Sequence, residues 1–150
     1  MKKFVSLAAL SAILLFFTNC GDDPVSAGQN YLDENAKRDG VIVTDSGLQY
    51  EVLNEGTGDS PQSNSTVVVH YRGTLIDGTQ FDSSYDRGEP ATFRVDQVIA
   101  GWTEALQLMK VGSEYRLVIP PSLGYGNRGS GALIGPDEVL VFHVELLDIQ

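Results

Sequence analysis

Apolar residues in this chain recur at every second position in one stretch after another, and at helical spacing in a single convincing place. Leu48, Tyr50 and Val52 alternate with Gln49 and Glu51. Over 66–76, Val67, Val69 and Tyr71 share one face, and Val68, His70 and Arg72 the other. Asp77-Gly78 is a strong hairpin signal that returns the chain toward Phe81. A polar loop over 82–90 precedes a short strand over 91–95. Residues 114–120 place Tyr115, Leu117 and Ile119 on one face, and 139–149 do the same with Leu140, Phe142, Val144 and Leu146. Trp102, Ala105, Leu106 and Met109, by contrast, fall at i, i+3, i+4 and i+7, the stripe of an amphipathic helix. Gly112 is read as its left-handed cap. Period-two strands joined by short polar loops, with one such helix, predict an α+β fold: a curved antiparallel β-sheet wrapped around one short amphipathic helix.

The chain starts differently. Lys2 and Lys3 precede a nearly unbroken apolar run, Phe4 to Phe17, which falls short of the ~20 residues a bilayer span takes. A basic start and a short apolar run make a secretory signal peptide. In place of a small-residue cleavage site, Thr18-Asn19 leads into Cys20, the one cysteine of the chain. This arrangement resembles a bacterial lipoprotein signal, which implies lipidation of Cys20, anchoring to a membrane and display in the periplasm or at the cell surface. Gly21 after the cysteine favours the outer over the inner membrane. A secreted protein with a free thiol is the bland alternative. The expected organisation is a signal peptide over 1–19, a polar tether and short helical segment over 20–43, and one domain over 44–150. Within the second part, 21–28 reads as tether. Residues 29–39 read as about three weak helical turns, with Tyr31, Leu32 and Ala36 available to face a partner.

Charge and composition narrow the functions available. Ten Lys and Arg oppose 20 Asp and Glu, a net charge of -10. Loss of Lys2 and Lys3 with the leader leaves 8 bases against 20 acids, or -12. Nucleic acid is excluded as a partner, because phosphate neutralisation needs clustered bases. A lone cysteine excludes an internal disulfide, and with two histidines, His70 and His143, far apart, no metal-ligand spacing exists. Both histidines lie off the core face and read as solvated. Gly124-Tyr125-Gly126-Asn127-Arg128-Gly129 matches a dinucleotide pattern, but Pro120-Pro121 separates it from the strand before it. Gly131, Gly135 and Pro136 then prevent the helix that must follow. No nucleophile–base constellation presents itself either.

What remains is a set of aromatic residues beside loops: Tyr71, Phe81, Tyr85, Phe93, Trp102, Tyr125 and Phe142. Core packing alone accounts for Phe93 and Phe142 as readily as a site does. Trp102, in the first turn of the helix, is placed for something else. The stretches Val69-His70-Tyr71-Arg72-Gly73, Gly78-Thr79-Gln80-Phe81-Asp82-Ser83-Ser84, Val98-Ile99-Ala100-Gly101-Trp102 and Leu140-Val141-Phe142-His143-Val144-Glu145-Leu146 resemble FKBP-type peptidyl-prolyl cis-trans isomerases. The likeness runs from about Thr44 to the C-terminus. Ser46 to Tyr50 and the segment before Gly40 are similar to the bacterial macrophage-infectivity-potentiator subgroup.

The resemblance implies an aromatic pocket between sheet and helix, in which X-Pro amides twist without a metal or cofactor. Trp102 would be its floor, and Tyr71, Phe81, Phe93 and Phe142 its walls. Val98 and Ile99 would form the rim, and Leu133 and Ile134 the flap. Tyr125 would meet the peptide carbonyl, and Asp82 would line one side, held by Tyr71 or Arg87. Catalytic roles thus fall to Tyr71, Phe81, Asp82, Trp102, Tyr125 and Phe142. Substrate contacts fall to Arg87, Phe93, Val98, Ile99, Leu133 and Ile134. Implied partners are proline-containing polypeptides and a rapamycin-type macrolide, and the short N-terminal part suggests a monomer. The implied function is folding assistance to cell-envelope proteins, with a non-catalytic binding module or chaperone as the alternative and a purely structural envelope lipoprotein as a third. Ala91, Gln97, Ser130 and Gly135 depart from residues common in the family, which puts substrate preference and flap stiffness in question.

Overall fold

The computed structural model describes residues 23–150. The leader and Cys20 lie outside the described residues. Seven strands form one antiparallel sheet: β1 (Val41–Val43), β2 (Gln49–Asn54), β3 (Thr66–Leu75), β4 (Gln80–Ser83), β5 (Ala91–Arg94), β6 (Glu114–Ile119) and β7 (Leu140–Ile149). The helices are α1 (Pro24–Ala36), a one-turn α2 (Ser84–Arg87) and α3 (Ala100–Leu108). Strand order is β1-β2-β6-β7-β3-β4, with β5 also on β3, and the sheet does not close. The ten residues of β3 pair with β7 along one edge, and with β5 and then β4 along the other.

Alternation along the strands builds the core as expected. Val67, Val69, Leu117, Ile119, Leu140, Val144 and Leu146 are buried on the concave face. They meet Ala105, Leu106 and Met109 of the α3 stripe, all fully buried. Burying one such aliphatic side chain is worth about 1.5–3 kcal/mol. That gain makes register decisive, since a one-residue slip would turn the whole apolar row outward. The helix stops at Leu108, earlier than its glycine suggests. Met109 turns extended and so stays in the core, while Gly112, at φ 93°, serves the following turn rather than a helix cap.

The N-terminal part departs from the expected tether. Asp23 accepts a hydrogen bond from Ser26 N at 2.8 Å, and Pro24 occupies the first helical turn, so a turn-like composition starts α1. Its docked face is also different. Gly28 and Asn35 are buried, Leu32 and Tyr31 half-buried, and Ala36 exposed. Asn35 Nδ2 donates to Gln49 Oε1 at 2.7 Å, and Gln49 Nε2 to Leu32 O at 3.0 Å. Arg116 reaches Asn35 Oδ1 at 2.9 Å and Tyr31 Oη at 2.7 Å. Gln49 is therefore buried by α1 on the outer face of the sheet, although alternation reads it as solvated. Val52, expected inward, is 37% exposed, because β2 runs past the end of the core there.

The polar latch generates a prediction. Asn35→Ala leaves Gln49 and Arg116 without their buried partner and should cost about 1–3 kcal/mol in urea unfolding at an unchanged m-value. A loss below a few tenths of a kcal/mol would show that α1 is held without it.

Candidate active site

The N-terminal end of α3 meets the sheet where β3, β5 and β7 each present an aromatic ring. Trp102 is 4% exposed and packs edge-to-face on three neighbours. Ring centroids lie 5.2 Å away for Tyr71, 5.7 Å for Phe93 and 5.3 Å for Phe142, with interplanar angles from 82° to 90°. Phe81 stands perpendicular to Phe142 at 5.4 Å. Such pairs contribute about 0.5–1.5 kcal/mol each beyond burial. The indole N–H is buried without a hydrogen-bond partner, so packing and not a side-chain hydrogen bond orients the ring.

Above these rings opens a cavity of about 740 Å³, a size ordinary for a ligand site. Tyr71, Phe81, Phe93, Trp102 and Phe142 line its base and walls, and Val98 and Ile99 its rim. Leu133, Ile134 and the 39%-exposed Tyr125 come from the loops opposite, and Asp82 contributes the sole carboxylate among the lining residues. Every pocket residue proposed from the sequence is therefore brought together, with one exception. Arg87 is absent from the lining, because α2 turns it back onto Asp82 and over the Tyr71 ring, 5.6 Å from its centroid.

That turn has a local cause. The stretch read as a loop after Asp82 contains α2, started by Ser83, whose Oγ accepts from Asp86 N, and ended by Gly88 in the left-handed region. Ser84, fully buried, accepts the backbone N–H of Tyr71 at 2.8 Å and lies 2.9 Å from His70 Nδ1. His70 thus has a structural partner and stacks on Tyr85 at 4.6 Å, and His143 contacts Glu114 at 2.6 Å. Neither is the freely solvated residue its strand position suggests.

Asp82 is clamped from two sides. Tyr71 Oη donates to Oδ2, Arg87 Nη1 donates to Oδ1 at 2.5 Å, and Arg87 Nη2 reaches Tyr71 Oη at 3.1 Å. Partial burial opposes the charged form of Asp82, but the bonds from Tyr71 and Arg87 outweigh it and hold the carboxyl below its usual range. Tyr71 is pushed up, first by burial and then by the adjacent carboxylate. Arg87 is pushed up by its bonds to Tyr71 and Asp82. At neutral pH the trio is one anion, one cation and a neutral phenol.

Some residues at the site escaped the sequence reading. Gln97, Ser130, Gly131 and Ala132 also line the cavity, although Gln97 and Ser130 had drawn notice only as departures. Gly73 matters more. A Cβ there would lie 2.5 Å from Phe81 and 2.8 Å from Phe142 ring atoms, so only glycine lets those rings meet over β3. A glycine inside an apolar strand was the available signal.

The profile of the FKBP-type peptidyl-prolyl cis-trans isomerase matches residues 58–147, spanning every pocket side chain described. This chain belongs to that family. The profile of the domain amino-terminal to such isomerases matches residues 21–52. The chain is 59% identical over 122 residues to an FKBP-type 22 kDa peptidyl-prolyl cis-trans isomerase of Escherichia coli, covering 81% of this chain and 59% of that one. It is 46% identical over 134 residues to the outer membrane protein MIP of Legionella longbeachae, covering 89% and 58%. The chain thus spans little more than half the length of these two relatives. Among solved structures, FkpA from Escherichia coli aligns with a TM-score of 0.83 at 50% identity, over 85% of this chain and 60% of that one. A peptidyl-prolyl isomerase from Pseudomonas syringae aligns at 0.80 and 40% identity, over 85% and 93%.

Two outcomes are expected here. Arg87→Ala removes the bond and the positive charge through which Arg87 lowers the Asp82 carboxyl and leaves its burial, so its pKa should rise, as read by carboxyl-carbon NMR titration. An unchanged value would deny the clamp. The sign for stability follows from the lowered folded-state pKa. The clamp contributes fully above the ordinary carboxylate value of about 3.9 and is lost as pH falls through the lower folded value. Gly73→Ala should cost about 1–3 kcal/mol and shift the ring signals of Phe81 and Phe142.

Proposed function

We propose that the FKBP-family domain of this chain catalyses cis-trans isomerisation of X-Pro peptide bonds. The observation that carries this reading is the open, ring-lined cavity over Trp102, walled by Tyr71, Phe81, Phe93 and Phe142. Rotation about the X-Pro bond crosses a barrier of about 18–20 kcal/mol, because twisting removes amide resonance. Water bonded to the amide oxygen favours the planar, charge-separated form. A proline ring seated on Trp102 leaves that water behind, and the rings hold it while the preceding carbonyl turns. Tyr125, exposed among the lining residues, would donate to the turning oxygen, and Asp82, the carboxylate of the lining, would act on the twisted amide through its field. A ten-thousandfold acceleration needs about 5–6 kcal/mol of preferential binding to the twisted form. Shape and desolvation are of that order.

The substrates under this reading are proline-containing segments of unfolded or partly folded envelope proteins, and a rapamycin-type macrolide fits the same hollow as a ligand. The envelope assignment rests on the leader and on the likeness to a protein named for the outer membrane. Lipidation of Cys20, which the leader resembles a signal for, would supply the attachment. Among the described residues no helix is long and apolar enough to cross a membrane.

A protease-coupled assay on an Xaa-Pro-Phe peptide tests the catalytic reading. Wild-type protein at micromolar concentration should accelerate isomerisation well above buffer, and Trp102→Ala or Phe81→Ala should lower kcat/KM by about tenfold or more. A folded wild-type protein with no acceleration would leave the hollow as a binding module only. Separately, Cys20→Ser should abolish partitioning into detergent; unchanged partitioning would remove the lipid anchor.

A further inference from the structure

The lid side of the pocket hangs from two roots, and α1 leans on both. Tyr125 follows the turn Pro121–Leu123, and the flap, with Ile134 N and O paired to Ser130, leaves through Asp137 into Val139 and β7. A second cavity, about 230 Å³, lies between α1 and these roots, lined by Gly28 and Leu32 on one side and Pro121, Asp137 and Val139 on the other. Contact is close: a Cβ on the buried Gly28 would sit 3.0 Å from Val139 Cγ2 and 4.0 Å from the Asp137 carbonyl oxygen.

Asp137 is the hinge of this arrangement. Among the described residues it alone has a positive φ, 56°, without being glycine. That region is unfavourable for a residue with a Cβ and persists where its surroundings hold it. Its N–H donates to Gly126 O at 2.9 Å, so the flap's exit is tied to the residue after Tyr125. A displacement at Asp137 therefore reaches both the flap and the Tyr125 turn. α1 itself is fixed elsewhere, by Asn35, Gln49 and Arg116, none of which lines the pocket.

We propose that α1 braces the lid, with Gly28 and Leu32 as positioning residues that act through Val139 and Asp137 on Ile134, Leu133 and Tyr125. The inference rests on the isomerase reading for its catalytic consequence, and on geometry alone for its mechanical one. Leu133 and Ile134 line the cavity opposite the rings, so loosening the flap alters substrate hold and selectivity, and loosening the Tyr125 turn weakens the reach of its hydroxyl to the turning oxygen.

The test uses the full chain with Gly28→Leu, which pushes on Val139, and Leu32→Ala, which enlarges the cavity between α1 and the lid's roots. Peptides with Leu or Ala before proline are compared, alongside amide hydrogen exchange of residues 126–138. The expected result in both variants is a kcat/KM for the Leu-Pro peptide lowered about threefold or more, with KM raised. A changed Leu/Ala preference and faster exchange across 126–138 should accompany it. Wild-type kcat/KM, preference and exchange in folded Leu32→Ala would overturn the brace, and that variant decides if Gly28→Leu does not fold. An inactive wild-type protein would retract the isomerase reading instead. Faster exchange in Leu32→Ala would then still support the brace, and unchanged exchange would overturn it.

Discussion

Three rings stand perpendicular to the indole of Trp102, and almost everything else in the domain serves to bring them there. Edge-to-face packing holds an aromatic ring firmly only when neighbours approach from several directions. One flat sheet could not supply them. The curvature of the sheet around α3 lets Tyr71 from β3, Phe93 from β5 and Phe142 from β7 converge on one helical residue. With the indole N–H unpartnered, no side-chain hydrogen bond supplements that convergence. The core below, where Leu106 and Met109 meet the apolar rows of the strands, sets the height and tilt of α3 and so of the ring it carries.

Polar chemistry at the pocket is built outward from the same strand. Tyr71 contributes its ring to Trp102, its hydroxyl to Asp82 and its backbone N–H to Ser84. One residue thus couples the apolar floor to the charged wall and to the start of α2, which carries Arg87. Arg87 is better placed as a clamp than as a substrate contact. By pairing with Asp82 it orients the carboxylate at the cavity edge and helps to hold its pKa below the usual range, against the opposing effect of partial burial.

Strands and the main helix were legible in the sequence because burial on one face writes its period into the residues. Tyr115, Leu117 and Ile119, or Trp102 through Met109, have no other economical explanation. Where the sequence misled, a second physical signal competed. Gln49 breaks no alternation rule, yet it is buried because a helix with little apolar surface docks through amides and arginine instead. Asp23-Pro24 reads equally as a turn or as a helix start, and which applies depends on what the helix can lean on. The pocket members came from family likeness rather than from periodicity. Their mutual distances depend on contacts among β3, β5, β7 and α3, and no window along the chain contains them.

The two sides of the pocket differ in what fixes them, and the departures from family residues fall accordingly. Rings on the sheet side are pinned by strand register and by the glycine gap at Gly73, so a change there disturbs several neighbours together. One departure, Ala91, lies on this side, in β5 opposite Val69. The other three lie on the loop side: Gln97 follows β5, Ser130 opens the flap, and Gly135 closes it. A Cβ at Gly135 would meet Glu138 at an ordinary 3.5 Å, so nothing steric demands glycine there. Substitutions of this kind alter which side chains border the cavity without moving Trp102. Under the isomerase reading proposed above, a rigid floor with a separately supported lid lets selectivity drift while the floor stays in place. In this chain the support for that lid includes a helix outside the sheet, whose first residues, 24–28, the sequence presents as a tether.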